Sequence, residues 1–226
     1  MFNNSYKDKC VLITGHTGFK GSWLTTWLIK LGAHVVGFSD RVPTEPSLFK
    51  SANLSRLIDN RSGNICNLVE LVKLIKDVKP DFVFHLAAQS IVSVSYKFPI
   101  NTITTNILGT ANMLEALRLL NHPCSVVIIT SDKCYENTES FWGYKETDHL
   151  GGKDIYSGSK GAAEVIFHSY FHSFFQKDDC LVRIASARAG NVIGGGDWAK
   201  DRIVVDCMKN WSENRYVEIR NPNATR

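Results

Sequence analysis

The sequence predicts an α/β fold built on a doubly wound parallel sheet. Short apolar runs alternate with longer runs whose apolar residues recur at helical spacing along most of the 226 residues. Hydrophobic residues make up 44% of the chain and charged residues 21%, which is typical of a globular protein and not of a disordered one. A glycine-rich turn stands between the first apolar run and the first helical one. Together these observations predict successive strand–helix–strand units with helices on both faces of the sheet.

The predicted strands and helices follow one another in the order that this fold requires. The strands are short apolar runs at residues 10–14, 34–38, 81–86, 125–130 and 181–187. The first helix carries apolar residues at helical spacing from Trp23 to Leu31, and Gly32 stands at its C-cap. Further helices are predicted at residues 68–76, 104–120 and 155–175. Residues 43–46 and 137–152 are predicted loops, and long loops inside a compact fold are usually functional.

The composition argues against several classes of protein. The chain has 26 basic and 22 acidic residues, a net charge of +4, and their even spread is unlike a nucleic-acid-binding surface. Its six cysteines have neither CxxC spacing nor histidines at metal-ligand spacing, so we expect reduced thiols in a cytoplasmic protein and no metal site. Residues 1–9 are polar, unlike a signal peptide, and the sequence has no apolar run of membrane-spanning length.

The glycine-rich turn predicts a nucleotide-binding site. Gly15, Gly18 and Gly21 have GxxGxxG spacing and join the first predicted strand to the first predicted helix. One glycine permits a tight turn, one lets the backbone approach a pyrophosphate, and one lets the helix pack against the strand. The helix N-terminus then faces the anion. A simple turn is the alternative, but the position between a strand and a helix favours nucleotide binding.

The end of the second strand bears on which dinucleotide is bound. An acidic residue that holds the adenosine ribose is expected there, but Ser39 occupies that position and Asp40 follows one place later. Arg41 is placed to meet a 2′-phosphate instead. The sequence therefore favours NAD over NADP without deciding between them.

Tyr156 and Lys160 lie one helical turn apart on one face of a predicted helix. A free tyrosine has a pKa of about 10, so it needs a neighbouring ammonium and an oxidised nicotinamide to act as a base near neutral pH. Tyr156 would then take a proton from a sugar hydroxyl that Ser131 holds. An exposed surface pair is the alternative.

Six ordered motifs together resemble the extended short-chain dehydrogenase/reductases. Within that superfamily the chain resembles the nucleotide-sugar 4,6-dehydratases, and the first, fourth and sixth motifs resemble their CDP-glucose branch. The motifs are TGHTGFKGSWL (14–24), HLAAQS (85–90), TTNILGT (104–110), TSDKCYEN (130–137), GGKDIYSGSK (151–160) and RAGNVIGGGDW (188–198).

The resemblance implies a dehydratase that converts CDP-glucose to CDP-4-dehydro-6-deoxyglucose, a precursor of lipopolysaccharide deoxysugars. Tyr156 and NAD oxidise C4, the proton at C5 is removed while Asp132 protonates the departing C6 hydroxyl, and the hydride returns to C6. Other sugar dehydratases carry Thr-Asp-Glu where Ser131, Asp132 and Lys133 stand. Lys133 acts as the base or only positions a group, and the sequence leaves both roles open. A loop ion pair is the alternative for Asp132 and Lys133.

The resemblance also implies the remaining site residues. Gln89 lies near the substrate, and Asn191 and Arg202 meet its diphosphate; a turn residue and a solvated helix charge are the alternatives for those two. The residues implied to bind NAD are Gly15, Thr17, Gly18, Phe19, Lys20, Gly21, Ser39, Asp40, Asn64, Ile65, Leu86, Ala87, Ala88, Asn106, Tyr156 and Lys160.

The chain departs from the family pattern at several positions. Asn64 stands where the family has an aspartate facing the adenine, and Ser93 replaces an expected arginine. Ile155 and Val205 replace prolines.

We expect an NAD-binding domain at residues 1–190 and the start of a substrate-binding lobe at 191–226, because family members continue well beyond the last residue. The resemblance implies a homodimer through the 104–120 and 155–175 helices, and a small-molecule substrate with no nucleic-acid or membrane partner. The alternatives are another NAD-dependent nucleotide-sugar dehydratase, an epimerase, or an inactive dinucleotide-binding fragment.

Overall fold

Six strands form one parallel sheet in the computed structural model, which describes residues 1–219 and Pro222. The strand order is β3-β2-β1-β4-β5-β6, so the order reverses between β1 and β4. In open α/β sheets a ligand binds at that reversal, outside the carboxyl ends of the strands. The predicted fold class, a Rossmann-like doubly wound sheet, is confirmed. The strands are β1 (Cys10–Thr14), β2 (His34–Ser39), β3 (Asp59–Ser62), β4 (Phe82–His85), β5 (Cys124–Ile129) and β6 (Val182–Ala187).

Helices cover both faces of the sheet because successive residues of a strand point to opposite sides. Val11 and Ile13 of β1 pack with Leu28 on one face, while Leu12 packs on the other with Met113 and its neighbours. The helices are α1 (Phe19–Lys30), α2 (Leu48–Ser51), α3 (Leu68–Val78), α4 (Val92–Lys97), α5 (Pro99–Ile103), α6 (Gly109–Arg118), α7 (Ile155–Tyr170) and α8 (Ile203–Ser212).

Two predicted helices differ from the observed ones at their ends. The helix predicted at residues 104–120 begins earlier, since Pro99 opens α5, and a π-helical turn at Thr104–Leu108 joins α5 to α6. The helix predicted at residues 155–175 is α-helical through Tyr170 and ends in a second π-helical turn, Phe171–Phe175. A π-helical turn keeps the chain helical while adding a residue, so apolar spacing alone does not reveal it.

A segment at residues 191–202, which we call the crossing segment, passes from the end of β6 over the cleft to α8. Near its middle the Trp23 indole nitrogen of α1 donates to the Gly195 carbonyl oxygen at 2.9 Å. At its end the Ser93 hydroxyl of α4 donates to an Asp201 carboxylate oxygen at 2.5 Å. The division of the chain at residue 190 stays a prediction, and residues 220, 221 and 223–226 of the predicted second lobe lie outside the described residues.

None of the helices in the described part of the chain has the length and apolar character that a membrane crossing requires. Within that same part, His, Cys, Asp and Glu side chains form no group of three that could hold a metal ion. All six cysteines are free thiols, and burial raises the pKa of Cys124 to about 12 and that of Cys134 to about 11.

Candidate active site

A cleft of about 870 Å³ opens at the carboxyl ends of the strands, around the β1–β4 reversal. Its walls come from the glycine-rich turn after β1, the segments after β4 and β5, the start of α7, and the crossing segment. Every predicted site residue lines this cleft except Asn106.

The glycine-rich turn has the tight backbone packing that its sequence predicts. Gly15 has φ +74°, and a Cβ atom there would lie 2.7 Å from the Ala87 nitrogen after β4. A Cβ atom at Gly21 would lie 2.2 Å from the Gly15 carbonyl oxygen, which no side chain could accommodate. Gly18 is the N-cap of α1 and brings no side chain over the first-turn N–H groups. The N–H donors at the start of α1 and the Lys20 side chain line this part of the cleft. Together they fit a dinucleotide pyrophosphate.

A buried hydrogen-bonded chain lies under this turn, and its central residue was missed by sequence reasoning. His16 Nδ1 contacts the Ser39 hydroxyl at 2.9 Å, and His16 Nε2 contacts the Asn60 amide oxygen at 2.7 Å. Burial lowers the pKa of His16 and keeps the ring neutral at physiological pH. Ser39, predicted to meet the cofactor, thus lies at the cleft wall with its hydroxyl engaged by His16. Asp40 is exposed at the rim beside Arg41.

Three predicted catalytic residues, Ser131, Asp132 and Lys133, form a single turn after β5, which we call the catalytic turn. Ser131 caps it: its hydroxyl accepts from the Lys133 N–H at 3.2 Å and donates to an Asp132 carboxylate oxygen at 2.9 Å. The Asp132 N–H donates to the Ala189 carbonyl oxygen at 3.0 Å, which continues the β5–β6 pairing past the strand ends.

Tyr156 and Lys160 project from the first turns of α7 into the same cleft and are only 8% and 6% exposed. Asp154 caps this helix by accepting from the Ser157 N–H at 2.9 Å. Burial raises the pKa of Tyr156, although the Ser131 hydroxyl and Arg202 oppose the rise. Burial and then the Lys20 charge lower the pKa of Lys160 to about 8. The chain alone therefore does not produce the lowered tyrosine pKa that the sequence argument expects, so any lowering must come from a bound cationic cofactor.

Asn106 is buried behind the cleft wall and organises it directly. Its amide oxygen accepts from the Gln89 N–H at 2.8 Å, while its amide nitrogen donates to the Gln89 carbonyl oxygen at 3.0 Å and the Ser159 hydroxyl at 2.9 Å. The Gln89 side chain is engaged in turn by Thr102 at 2.9 Å and by the Ile91 N–H at 2.7 Å. Asn106 thus fixes the backbone of a cleft residue against α7.

The opposite wall carries cations that suit an anionic substrate. Arg202 lies 3.9 Å from the Asp197 carboxylate and contributes to a lowered pKa at Lys20, after burial. Lys209 of α8 lies 5.9 Å from the centre of the Trp198 ring. Two further residues line the cleft without a role predicted from the sequence, namely Trp198, at the end of the sixth motif, and Lys209.

His85 at the end of β4 is buried beside this site. Its Nδ1 contacts the Thr14 hydroxyl at 2.8 Å, and its Nε2 has no hydrogen-bond partner among the described residues. Burial, helped by the Lys160 charge, lowers the pKa of His85 to about 3. The ring is therefore neutral whenever the protein is near neutral pH.

Residues 12–184 match the model of a protein family described as GDP-mannose 4,6-dehydratase. The chain belongs to this family. A CDP-glucose 4,6-dehydratase of Salmonella typhimurium is 47% identical over 226 residues, covering 99% of this chain and 63% of that protein. A GDP-mannose 4,6-dehydratase of Vibrio cholerae is 36% identical over 74% of this chain and 46% of that protein. The chain thus spans about half to two thirds of the length of these relatives.

Solved structures agree with the observed fold. A UDP-glucuronic acid 4-epimerase of Bacillus cereus, solved with UDP-glucuronic acid and NAD, has a TM-score of 0.77 at 25% identity and covers 92% of this chain and 64% of that one. A UDP-glucose 4-epimerase of Thermotoga maritima has a TM-score of 0.81 at 21% identity, covering 93% of this chain and 65% of that one. The second likeness, at that identity, bears on the fold alone.

Proposed function

We propose that this chain carries the catalytic centre of an NAD-dependent CDP-glucose 4,6-dehydratase, a hydro-lyase of deoxysugar biosynthesis. The observation that supports it most is the meeting of two elements in one cleft: the catalytic turn after β5, and Tyr156 with Lys160 on α7. An epimerase needs only Ser131, Tyr156 and Lys160 for the oxidation at C4, whereas a dehydratase also needs an acid at the C6 hydroxyl. Asp132 supplies that acid, and the 47% identity to the Salmonella enzyme supports CDP-glucose as the substrate.

Bound NAD would accept hydride from C4 of the sugar and later return it to C6. Tyr156 takes the proton of the C4 hydroxyl, which Ser131 holds, and the nearby Lys160 ammonium favours the phenolate once the cofactor is in place. The new ketone acidifies the C5–H bond, and Lys133 takes that proton or orients the group that does. Asp132 gives its proton to the C6 hydroxyl, which leaves as water when the C6–O bond breaks. Proton return to C5 completes the 4-keto-6-deoxy product.

The substrate's diphosphate is assigned to the cationic wall, with Arg202 and Asn191 as its ligands. The glycine-rich turn and the wall formed by Ile65 and residues 86–88 would take the dinucleotide, and Asn64 its adenine. We favour NAD over NADP because the Bacillus cereus epimerase was solved with NAD, and because a carboxylate, Asp40, stands at the rim beside Arg41. On this view residues 191–226 begin the lobe that completes the substrate pocket.

A second copy of the chain and a cytoplasmic location complete the proposal. The α5–α6 helical run and α7 pack side by side. These helices and the π-helical turn after α7 carry exposed apolar side chains at Ile103, Leu108, Val165 and Phe174. Such a surface suits a homodimer built on these helices. Six free thiols suit a reducing compartment.

Incubation with CDP-glucose, and separately with UDP-, GDP- and dTDP-hexoses, tests the function. We expect a 4-keto-6-deoxy product, detected by its alkali-induced absorbance, from CDP-glucose alone. Tyr156→Phe removes the acid–base hydroxyl and Asp132→Asn the proton donor, so each is expected to reduce turnover by about 10²-fold or more. Cofactor binding, measured by calorimetry, should survive in Asp132→Asn. Binding of NAD without turnover of any sugar nucleotide would instead identify an inactive cofactor-binding fragment.

A further inference from the structure

A buried ion pair lies directly behind the catalytic turn, between α7 and the end of the sheet. Glu164 of α7 is fully buried, and its carboxylate lies 3.1 Å from the Arg188 guanidinium. The same carboxylate accepts hydrogen bonds from the Thr130 hydroxyl and, at 3.2 Å, from the Ser186 hydroxyl. Burial opposes the charge on Glu164, but Arg188 and Thr130 outweigh it and lower the pKa of Glu164. The pair stays ionised at neutral pH because each charge has a partner.

This ion pair contacts the residues on both sides of the catalytic turn. Thr130, which binds Glu164, immediately precedes Ser131 at the start of the turn. Tyr135 follows the turn at its other end, and the Arg188 guanidinium lies 4.7 Å from the centre of its ring. The other terminal nitrogen of Arg188, Nη1, donates to the Glu146 carbonyl oxygen at 3.1 Å. The ion pair therefore also holds the loop between the catalytic turn and α7.

The ion pair also joins the turn to the helix that carries the tyrosine. Tyr156, Lys160 and Glu164 are spaced four residues apart, so they lie along one face of α7. Glu164 thus lies at the inner end of this row of side chains, and Tyr156 at the other end enters the cleft. At the far side of the turn the Cys134 carbonyl oxygen accepts from the Gly151 N–H at 2.8 Å, close to Gly161 of α7.

We propose that Glu164 and Arg188 are positioning residues that hold the catalytic turn in register with Tyr156 for the elimination step. The inference rests on the proposed function, in which groups on two different elements must act on one sugar. Tyr156 acts at C4, whereas Asp132 must reach the C6 hydroxyl as the C5–H and C6–O bonds break. A misplacement of about 1 Å can cost a factor of about 10² in rate. One group of the turn, Ser131, serves the oxidation at C4, whereas Asp132 and Lys133 both serve the elimination, so a loosened turn slows elimination more than oxidation.

Isotope effects in Glu164→Gln separate positioning from simple loss of folded enzyme. Glutamine removes the charge that holds Arg188 and offers one amide oxygen to the donors that two carboxylate oxygens now accept, which loosens the turn, so we expect kcat to fall about tenfold or more. The isotope effect from deuterium at C5 of CDP-glucose should rise, and that from deuterium at C4 should fall. A smaller fraction of folded enzyme scales every rate equally and leaves both isotope effects at their wild-type values. The matched control is Glu213→Gln, which breaks an exposed Glu–Arg pair at the end of α8 and should change neither.

Amide hydrogen exchange tests the same inference without any turnover. In Glu164→Gln, and in Thr130→Val, which removes only the hydroxyl contact, we expect exchange at residues 131–135 to become faster by about tenfold or more. Exchange within residues 156–163 of α7 should keep its wild-type rate. Unchanged exchange at residues 131–135, or wild-type isotope effects in an active Glu164→Gln, would overturn the positioning role. If the wild-type chain turns over no sugar nucleotide, the proposed function fails, and exchange still decides whether the ion pair holds the turn.

Discussion

The pKa values of Tyr156 and Lys160 in the cleft are set mainly by burial. Lys160 has its pKa lowered to about 8, and Tyr156 has its pKa raised, because both are almost completely enclosed. Each shift disfavours the charged form that the proposed reaction needs. A bound cationic nicotinamide would favour the Tyr156 phenolate, so the site is expected to become competent only when loaded.

His85 is expected to make the folded protein less stable in mild acid. Its pKa is about 3 in the folded chain against an ordinary 6.5, so between these values the unfolded chain binds more protons. Stability therefore falls as pH drops below 6.5, by up to about 1.4 kcal/mol per pH unit for this group. His85→Asn cannot titrate and should flatten urea-unfolding free energies between pH 6.5 and 5. His16, which burial also affects, would retain part of the slope.

The exposed His34 at the start of β2 provides the comparison. His34→Asn should keep the wild-type slope over the same pH range. An equal slope in wild type and His85→Asn would show that this ring does not account for the acid sensitivity.

At the scale of single elements, the glycine-rich turn and α7 make opposite demands on glycine. A methyl group at Gly21 would collide with backbone at 2.2 Å, whereas one at Gly158 in α7 would meet nothing within 4 Å. Gly21→Ala should therefore destabilise the fold and abolish NAD binding. Gly158→Ala should stabilise it by about 0.5–1 kcal/mol, since alanine favours the helix. Thermal unfolding measures both changes, and equal effects at the two positions would contradict the turn geometry.

The strands that apolar patterns predict are those rich in buried apolar residues. β1, β2, β4, β5 and β6 were found this way, but β3 was not, because Asp59–Ser62 is polar and none of its residues is buried. Motif resemblance predicted site residues that line the cleft. It assigned no role to Glu164 or to Arg188, the first residue of the sixth motif, whose partners come from elements brought together only by the fold. One signal was available: Glu164 lies four residues after Lys160, on the face of α7 that carries Tyr156 and Lys160.

At the scale of the whole molecule, the exposed apolar surface of α5–α6 and α7 predicts self-association. Val165 is 53% exposed there, so Val165→Lys should leave the fold intact and shift a dimer towards monomer at micromolar concentration. Light scattering after gel filtration measures the change. Val69→Lys on α3, where the side chain is 80% exposed, is the control and should not alter the mass. A monomeric wild-type chain would remove the homodimer proposal.

The crossing segment has a consequence for the order in which the molecule is assembled. Its hydrogen bond to Trp23 joins residues 172 positions apart, and its bond to Ser93 joins residues 108 apart. Contacts between such distant parts of a chain form late, because a long loop must close first. During synthesis the glycine-rich turn and its neighbouring strands are thus expected to be in place before residues 191–202 leave the ribosome. A nascent chain would then bind its dinucleotide in a cleft that still lacks the wall formed by the crossing segment.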